Sequence, residues 1–158
     1  MKFLTLAAAS LALAVAAVPA AAQNVQKIGT PGGRILTTAV VKPGATTVYL
    51  SGNLASPIDP AKPTEFGDTK TQTISTLKKI KALLEAQGMT MKDIIRMDAY
   101  LTAAPGMDGK MDFAGFNAGF AEFFGNAENP TTTTRTTMQI AALAGPNFLV
   151  ELTVIAAK

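Results

Sequence analysis

Apolar and polar residues alternate along "DIIRMDAYLT" (93–102): Ile95, Met97, Ala99 and Leu101 fall on one side, Arg96, Asp98 and Tyr100 on the other. A period of two is that of a strand with one buried face. Upstream the period lengthens. From Thr69 to Gln87 the apolar residues Ile74, Leu77, Ile80 and Leu84 recur at helical spacing, and Gly88 stands where a left-handed C-terminal cap belongs. A second helix is predicted in "MDFAGFNAGFAEFFG" (111–125), which gathers Phe113, Phe116, Phe120, Phe123 and Phe124 on one side of a helical wheel behind Asp112, a suitable N-cap.

The remainder reads as strands and loops. "RILTTAVVKPGATTVYLSGNLA" (34–55) holds two β-rich runs around Pro43-Gly44, the order a type II turn requires, and predicts a hairpin. In its second run Val48, Leu50 and Leu54 face one way, Tyr49, Ser51 and Asn53 the other. Pro57, Pro60 and Pro63 make the next stretch a loop. Near the C-terminus Met138, Ile140 and Ala142 oppose Arg135, Thr137 and Gln139; Phe148, Val150, Leu152 and Val154 oppose Glu151 and Thr153. With "AGPN" (144–147) as the turn, these form a closing strand pair. The order ββαβαββ predicts an α+β domain, one mixed or mainly antiparallel sheet with two helices on its apolar side. Its second face then collects Ser51, Arg135, Glu151 and several threonines. Leu149, Ile155, Ala141 and Leu143 make that face apolar enough to suggest subunit packing.

Composition narrows the chemistry. The 158 residues include no Cys and no His, so disulfides, thiolate or imidazole metal sites, and Ser/His or Cys/His nucleophile schemes are excluded. The start, "MKFLTLAAASLALAVAAVPAAAQ", has one Lys, an apolar run and an Ala-rich end. It reads as a signal peptide over residues 1–22 cleaved after Ala22, giving a periplasmic or secreted protein that is not membrane-bound after cleavage. Residues 23–33 read as a flexible lead-in and 34–158 as one domain. The formal net charge is +3 and falls to +2 when Lys2 is removed, too little and too scattered to imply a nucleic-acid partner.

Two charges stand out. Arg135 lies in a threonine run and Glu151 in an otherwise apolar strand. A guanidinium fork suits a carboxylate, and a subunit seam would desolvate both; a structural salt bridge between the two is the other reading. In a closing hairpin that shares one face, Glu151 stands roughly four to six positions from Arg135, or about 13–20 Å at strand rise, so the two meet only across a boundary or through a ligand. Asn117 sits on the apolar stripe of its helix, where a buried amide needs partners; a satisfied core group and a functional one are both open.

These segments together resemble one family. "VYLSG", "TQTISTLKKIKALLEAQGMTMKDIIRMDAYLT", "DFAGFNAGFAEFF", "RTTMQIAAL" and "VELTVIA" occur in the order and spacing of the RidA/YjgF reactive-intermediate deaminases, also called L-PSP endoribonucleases, from about Leu36 to Ala156. The resemblance implies a chorismate-mutase-like fold, a barrel-forming homotrimer with clefts between subunits, and hydrolysis of small 2-imino or enamino acids such as 2-iminopropanoate to 2-oxo acids and ammonia, with no cofactor and no metal. It implies that Arg135 binds the substrate carboxylate, Glu151 positions or activates water, Thr137 contacts the ligand through its backbone, and Ser51 and Asn117 line or support the cleft. The alternative is an exported, non-catalytic binder of carboxylate metabolites. The export signal and the first of two residue departures favour the binder. Leu36 or a neighbour stands where many deaminating members have a tyrosine, and Thr133 where they have a proline.

Overall fold

The computed structural model describes residues 24–158; the expected signal segment lies outside them. Elements follow as β1 (Val25–Ile28), β2 (Thr38–Val41), β3 (Thr47–Leu54), α1 (Thr69–Glu85), a 3-10 turn (Met91–Asp93), β4 (Ile94–Leu101), α2 (Phe113–Ala121), β5 (Thr134–Gln139) and β6 (Val150–Ala157). A four-stranded sheet runs β3-β6-β4-β5, and β1-β2 forms a separate ribbon. The sheet is mixed, since β6 is antiparallel to β3 and β4 while β5 lies parallel to β4. This is the expected α+β fold with both helices on one face.

The helices form where their periodicity placed them. Asp68 caps α1, its carboxylate accepting from Thr71 N at 2.8 Å; hydrogen bonding from the Thr71 side chain, and after it from Thr71 N, holds the Asp68 pKa below the usual carboxylate range. Asp112 caps α2 through Gly115 N at 2.8 Å. Leu77, Ile80 and Leu84 of α1 and Phe116 of α2 are wholly buried against Met97, Leu101, Leu152 and Val154, and each such burial contributes about 1.5–3 kcal/mol. Gln72, also fully buried, donates to Gly67 O and Asn147 O and accepts from Leu149 N, joining α1 to the approach to β6.

Several expectations fail for physical reasons. The turn at Pro43-Gly44 is present, with Ala45 N donating to Lys42 O and Gly44 at φ 91°, but its flanking strands do not pair. β2 pairs with β1 and β3 with β6. The lead-in is therefore partly a strand, Val25–Ile28. β5 and β6 form no hairpin either, because β4 lies between them. One extra residue in β3 between Leu50 and Asn53 reverses the alternation, so Asn53 is level with Leu152 and Leu54 with Glu151. Leu149 is 8% exposed within the helix-side core, not on the second face.

Candidate functional site

Register fixes the faces, because residues level with one another in neighbouring strands share a side. Arg135 is level with Met97, which is level with Val154, and Thr137 with Ala99. Met97, Ala99 and Val154 are core residues under the helices. Arg135, Thr137 and Gln139 thus face the helices, and Met138, 38% exposed, faces away. This inverts the expected orientation of β5. The cause lies in α2, whose aromatic rings accept the guanidinium as a neighbour.

Arg135 Cζ lies 4.5 Å from the centroid of Phe120, 5.0 Å from Phe116 and 6.0 Å from Phe113, within the range of cation–π attraction. Its Nη2 donates to Asn117 Oδ1 at 2.8 Å, and Asn117 Nδ2 donates to Phe113 O at 2.9 Å. The anomalous amide is therefore a positioning group for the arginine. Arg135 Nη1 and Thr137 Oγ1 are buried and have no hydrogen-bond partner among the described residues. Burial, and after it the nearby Arg34 guanidinium, lower the Arg135 pKa: its charge lacks a compensating anion.

Beside this arginine a groove of about 920 Å³ runs between the 29–36 loop, α2 and the 125–132 segment. Phe113, Asn117 and Phe120, all Arg135 neighbours, form part of its wall, together with Leu36 and Arg34. Leu36 N donates to Thr133 O at 3.0 Å, so the two departures noted in the sequence touch each other. Leu36 brings no hydroxyl to the groove.

Glu151 is elsewhere. It is level with Tyr100 and Leu54, on the face turned from the helices, half-buried and without a hydrogen bond or ion pair among the described residues. Its carboxylate lies on Gly52, where a Cβ would overlap Oε1. Ser51 lies with Gly52 in the bulge and is exposed. One chain therefore brings together Arg135, Thr137 and Asn117, and separately Glu151 with the Ser51-Gly52 bulge. It does not join the two groups, and Arg135 forms no salt bridge with Glu151. Among the described residues no group of three or more carboxylates could hold a metal ion.

Sequence reasoning missed Arg34 and the close approach at Gly52. Arg34 is the one charge in "GTPGGRILTT", and Gly52 was legible only as part of the "VYLSG" motif.

The endoribonuclease L-PSP family model matches residues 37–158. A RutC family protein of Pyrococcus horikoshii is 34% identical over 113 residues, covering 70% of this chain and 79% of that protein. One from Saccharolobus solfataricus is 34% identical over 112 residues, with the same coverage. Among solved structures, a Rid family protein of unknown function from Yersinia pestis superposes with a TM-score of 0.66 at 20% identity, covering 85% of this chain and 99% of that one. E. coli TdcF with bound serine superposes at 0.58 and 26% identity, covering 84% and 98%. The match over nearly all the described residues, with the shared sheet and helices, shows that this chain belongs to the RidA/YjgF family, the family of the endoribonuclease L-PSP model.

Proposed function

We propose that the protein hydrolyses small 2-imino or enamino acids to 2-oxo acids and ammonia, with Arg135 holding the substrate carboxylate. The observation that carries this reading is the partnerless, buried Nη1 of an arginine aligned by Asn117 and stacked on phenylalanines beside a groove. A planar carboxylate satisfies that donor and offsets the desolvated charge. The serine in the TdcF structure bears the same group.

Glu151 serves as the base. It takes a proton from water as the water oxygen bonds to the imine carbon and the C=N pair moves to nitrogen. The carboxyl returns this proton to nitrogen, giving the carbinolamine, and then passes the hydroxyl proton to the same nitrogen, so that ammonia leaves as the C–N bond breaks and the hydroxyl oxygen becomes the carbonyl of the 2-oxo acid. Because Arg135 and Glu151 face opposite sides of the sheet, the complete site is built by two copies, Arg135 of one beside Glu151 of the next. The exposed Tyr49 and Met138 on the second face suit such packing in a homotrimer.

The carboxylate binder without turnover is favoured by the absence of a hydroxyl at Leu36. Calorimetry with 2-oxobutanoate separates the roles. Arg135→Ala loses affinity by a factor equivalent to about 2–5 kcal/mol, whereas Glu151→Gln retains it; equal binding by both variants and the parent contradicts the assignment. Residues 1–22 are read as an export signal, and N-terminal sequencing of protein recovered outside the cytoplasm tests it: an intact Met1 there contradicts cleavage after Ala22.

A further inference from the structure

The groove beside Arg135 has an unusual charge balance. Its wall includes Lys27 and Arg34 and no carboxylate. Lys27 is already committed, its Nζ donating to Lys92 O and Ile94 O at 2.6 Å each. Arg34 is exposed and has no ion-pair or side-chain hydrogen-bond partner among the described residues.

The backbone of Arg34 is nevertheless held in place. Thr132 Oγ1 donates to Arg34 O at 2.8 Å, and Leu36 N donates to Thr133 O at 3.0 Å. Thr132 and Thr133 run directly into β5, so these bonds tie the Arg34 loop to the strand that carries Arg135. Arg34 is near enough for its charge to act on Arg135, and no acid lines the groove beside them. Like charges in such an arrangement oppose folding and favour a bound anion.

The two arginines sit at different depths. Arg135 is packed behind Phe113 and Phe120, while Arg34 lines the open groove. At about 920 Å³ the groove is near the upper end of ordinary ligand pockets, roughly 300–1,000 Å³. Arg135 is not itself among the lining residues and meets the groove through its neighbours Phe113, Asn117 and Phe120, so a three-carbon acid held on Arg135 leaves much of the volume vacant.

We propose that this groove is a second anion subsite, in which Arg34 receives the distal carboxylate of a dicarboxylic 2-oxo or 2-imino acid whose first carboxylate is held by Arg135. The inference rests on the carboxylate reading of Arg135 and specifies the substrate class of that site. Arg34 acts as a specificity residue and takes no part in the hydrolytic step.

Calorimetric titration of the protein with 2-oxobutanoate and with 2-oxoglutarate, at fixed ionic strength, tests it. The dicarboxylate binds roughly threefold to tenfold more tightly, the range of a partly exposed charge-assisted contact, and the advantage shrinks at high salt. Arg34→Gln brings the ratio of the two dissociation constants close to one, whereas Arg34→Lys keeps part of it. Equal affinities for the two ligands in the parent, or an Arg34→Gln variant that weakens both by the same factor, overturns the subsite. The reading of Arg135 fails in a different way: 2-oxobutanoate itself then does not bind, or binds unchanged to Arg135→Ala.

Discussion

Arg135 and Glu151 stand on opposite faces of one sheet, Arg135 level with buried Met97 and Glu151 level with Tyr100. A substrate held by the first and attacked by water on the second therefore needs two chains. Mixed oligomers test this. Arg135→Ala and Glu151→Gln proteins, each strongly impaired alone when assayed well below the KM of the Arg135 variant, regain activity when unfolded together and refolded as a 1:1 mixture. Random cyclic assembly restores about a quarter of the sites. No recovery, with mixed oligomers demonstrated by mass, contradicts a shared site.

Asn117 holds Arg135 Nη2 at 2.8 Å while anchored to Phe113 O. Hydrogen bonds to charged groups are worth about 1.5–3 kcal/mol, so Asn117→Ala weakens 2-oxobutanoate binding by roughly tenfold or more. Asn117→Asp weakens it as well, because the new carboxylate competes for the guanidinium. Calorimetry on both variants checks this, and unchanged affinity in both removes Asn117 from the site.

Gly52 gives the Glu151 carboxylate its seat. In Gly52→Ala the added methyl overlaps Oε1 and the carboxylate has to move. Turnover falls by about tenfold or more, a displacement of the base that proximity effects make costly, while binding of 2-oxobutanoate at Arg135 stays near the parent value. Circular dichroism establishes that the variant is folded. Loss of binding and turnover together in a folded protein contradicts the separation of the two roles.

Burial lowers the Lys27 pKa from 10.5 to about 8, with Asp93 opposing the shift. The sign follows from linkage. Between pH 8 and 10.5 the unfolded chain keeps this proton and the folded chain releases it, so stability rises with pH over that window. Below pH 8 both states are protonated and the group contributes no slope. Denaturation midpoints at pH 8 and pH 10 should therefore rise more in the parent than in Lys27→Met. Parallel pH profiles in the two proteins contradict the shift.

What the sequence made legible depended on periodicity with many repeats. α1, α2 and β4 each offer several apolar positions in phase, and Asp112 and Gly88 mark their ends. Partner choice was not legible. Pro43-Gly44 specifies a reversal but not that β3 turns to β6, and "AGPN" does not reveal that β4 separates β5 from β6. Orientation failed where one residue changed the count: the extra residue around Ser51-Gly52 swaps Asn53 and Leu54. In β5 the rule that charges face away from the core failed at Arg135, because the phenylalanines of α2 are good neighbours for a guanidinium. Arg135, Glu151 and Asn117 stood out as polar groups in apolar or threonine-rich runs, whereas Ser51 and Thr137 and the roles proposed for all five came by resemblance. Their grouping, Arg135 with Asn117 and Thr137 apart from Glu151 with Gly52, needed coordinates.

Ammonia release from freshly generated 2-iminopropanoate tests the central claim most directly. The parent protein raises the rate above spontaneous hydrolysis. Arg135→Ala chiefly raises KM, and Glu151→Gln lowers kcat by about 10²–10⁴ with KM little changed, the signature of a lost general base. Release at the spontaneous rate by the folded parent, or parent-like kinetics in both variants, contradicts the assignment of Arg135 and Glu151 to imine hydrolysis.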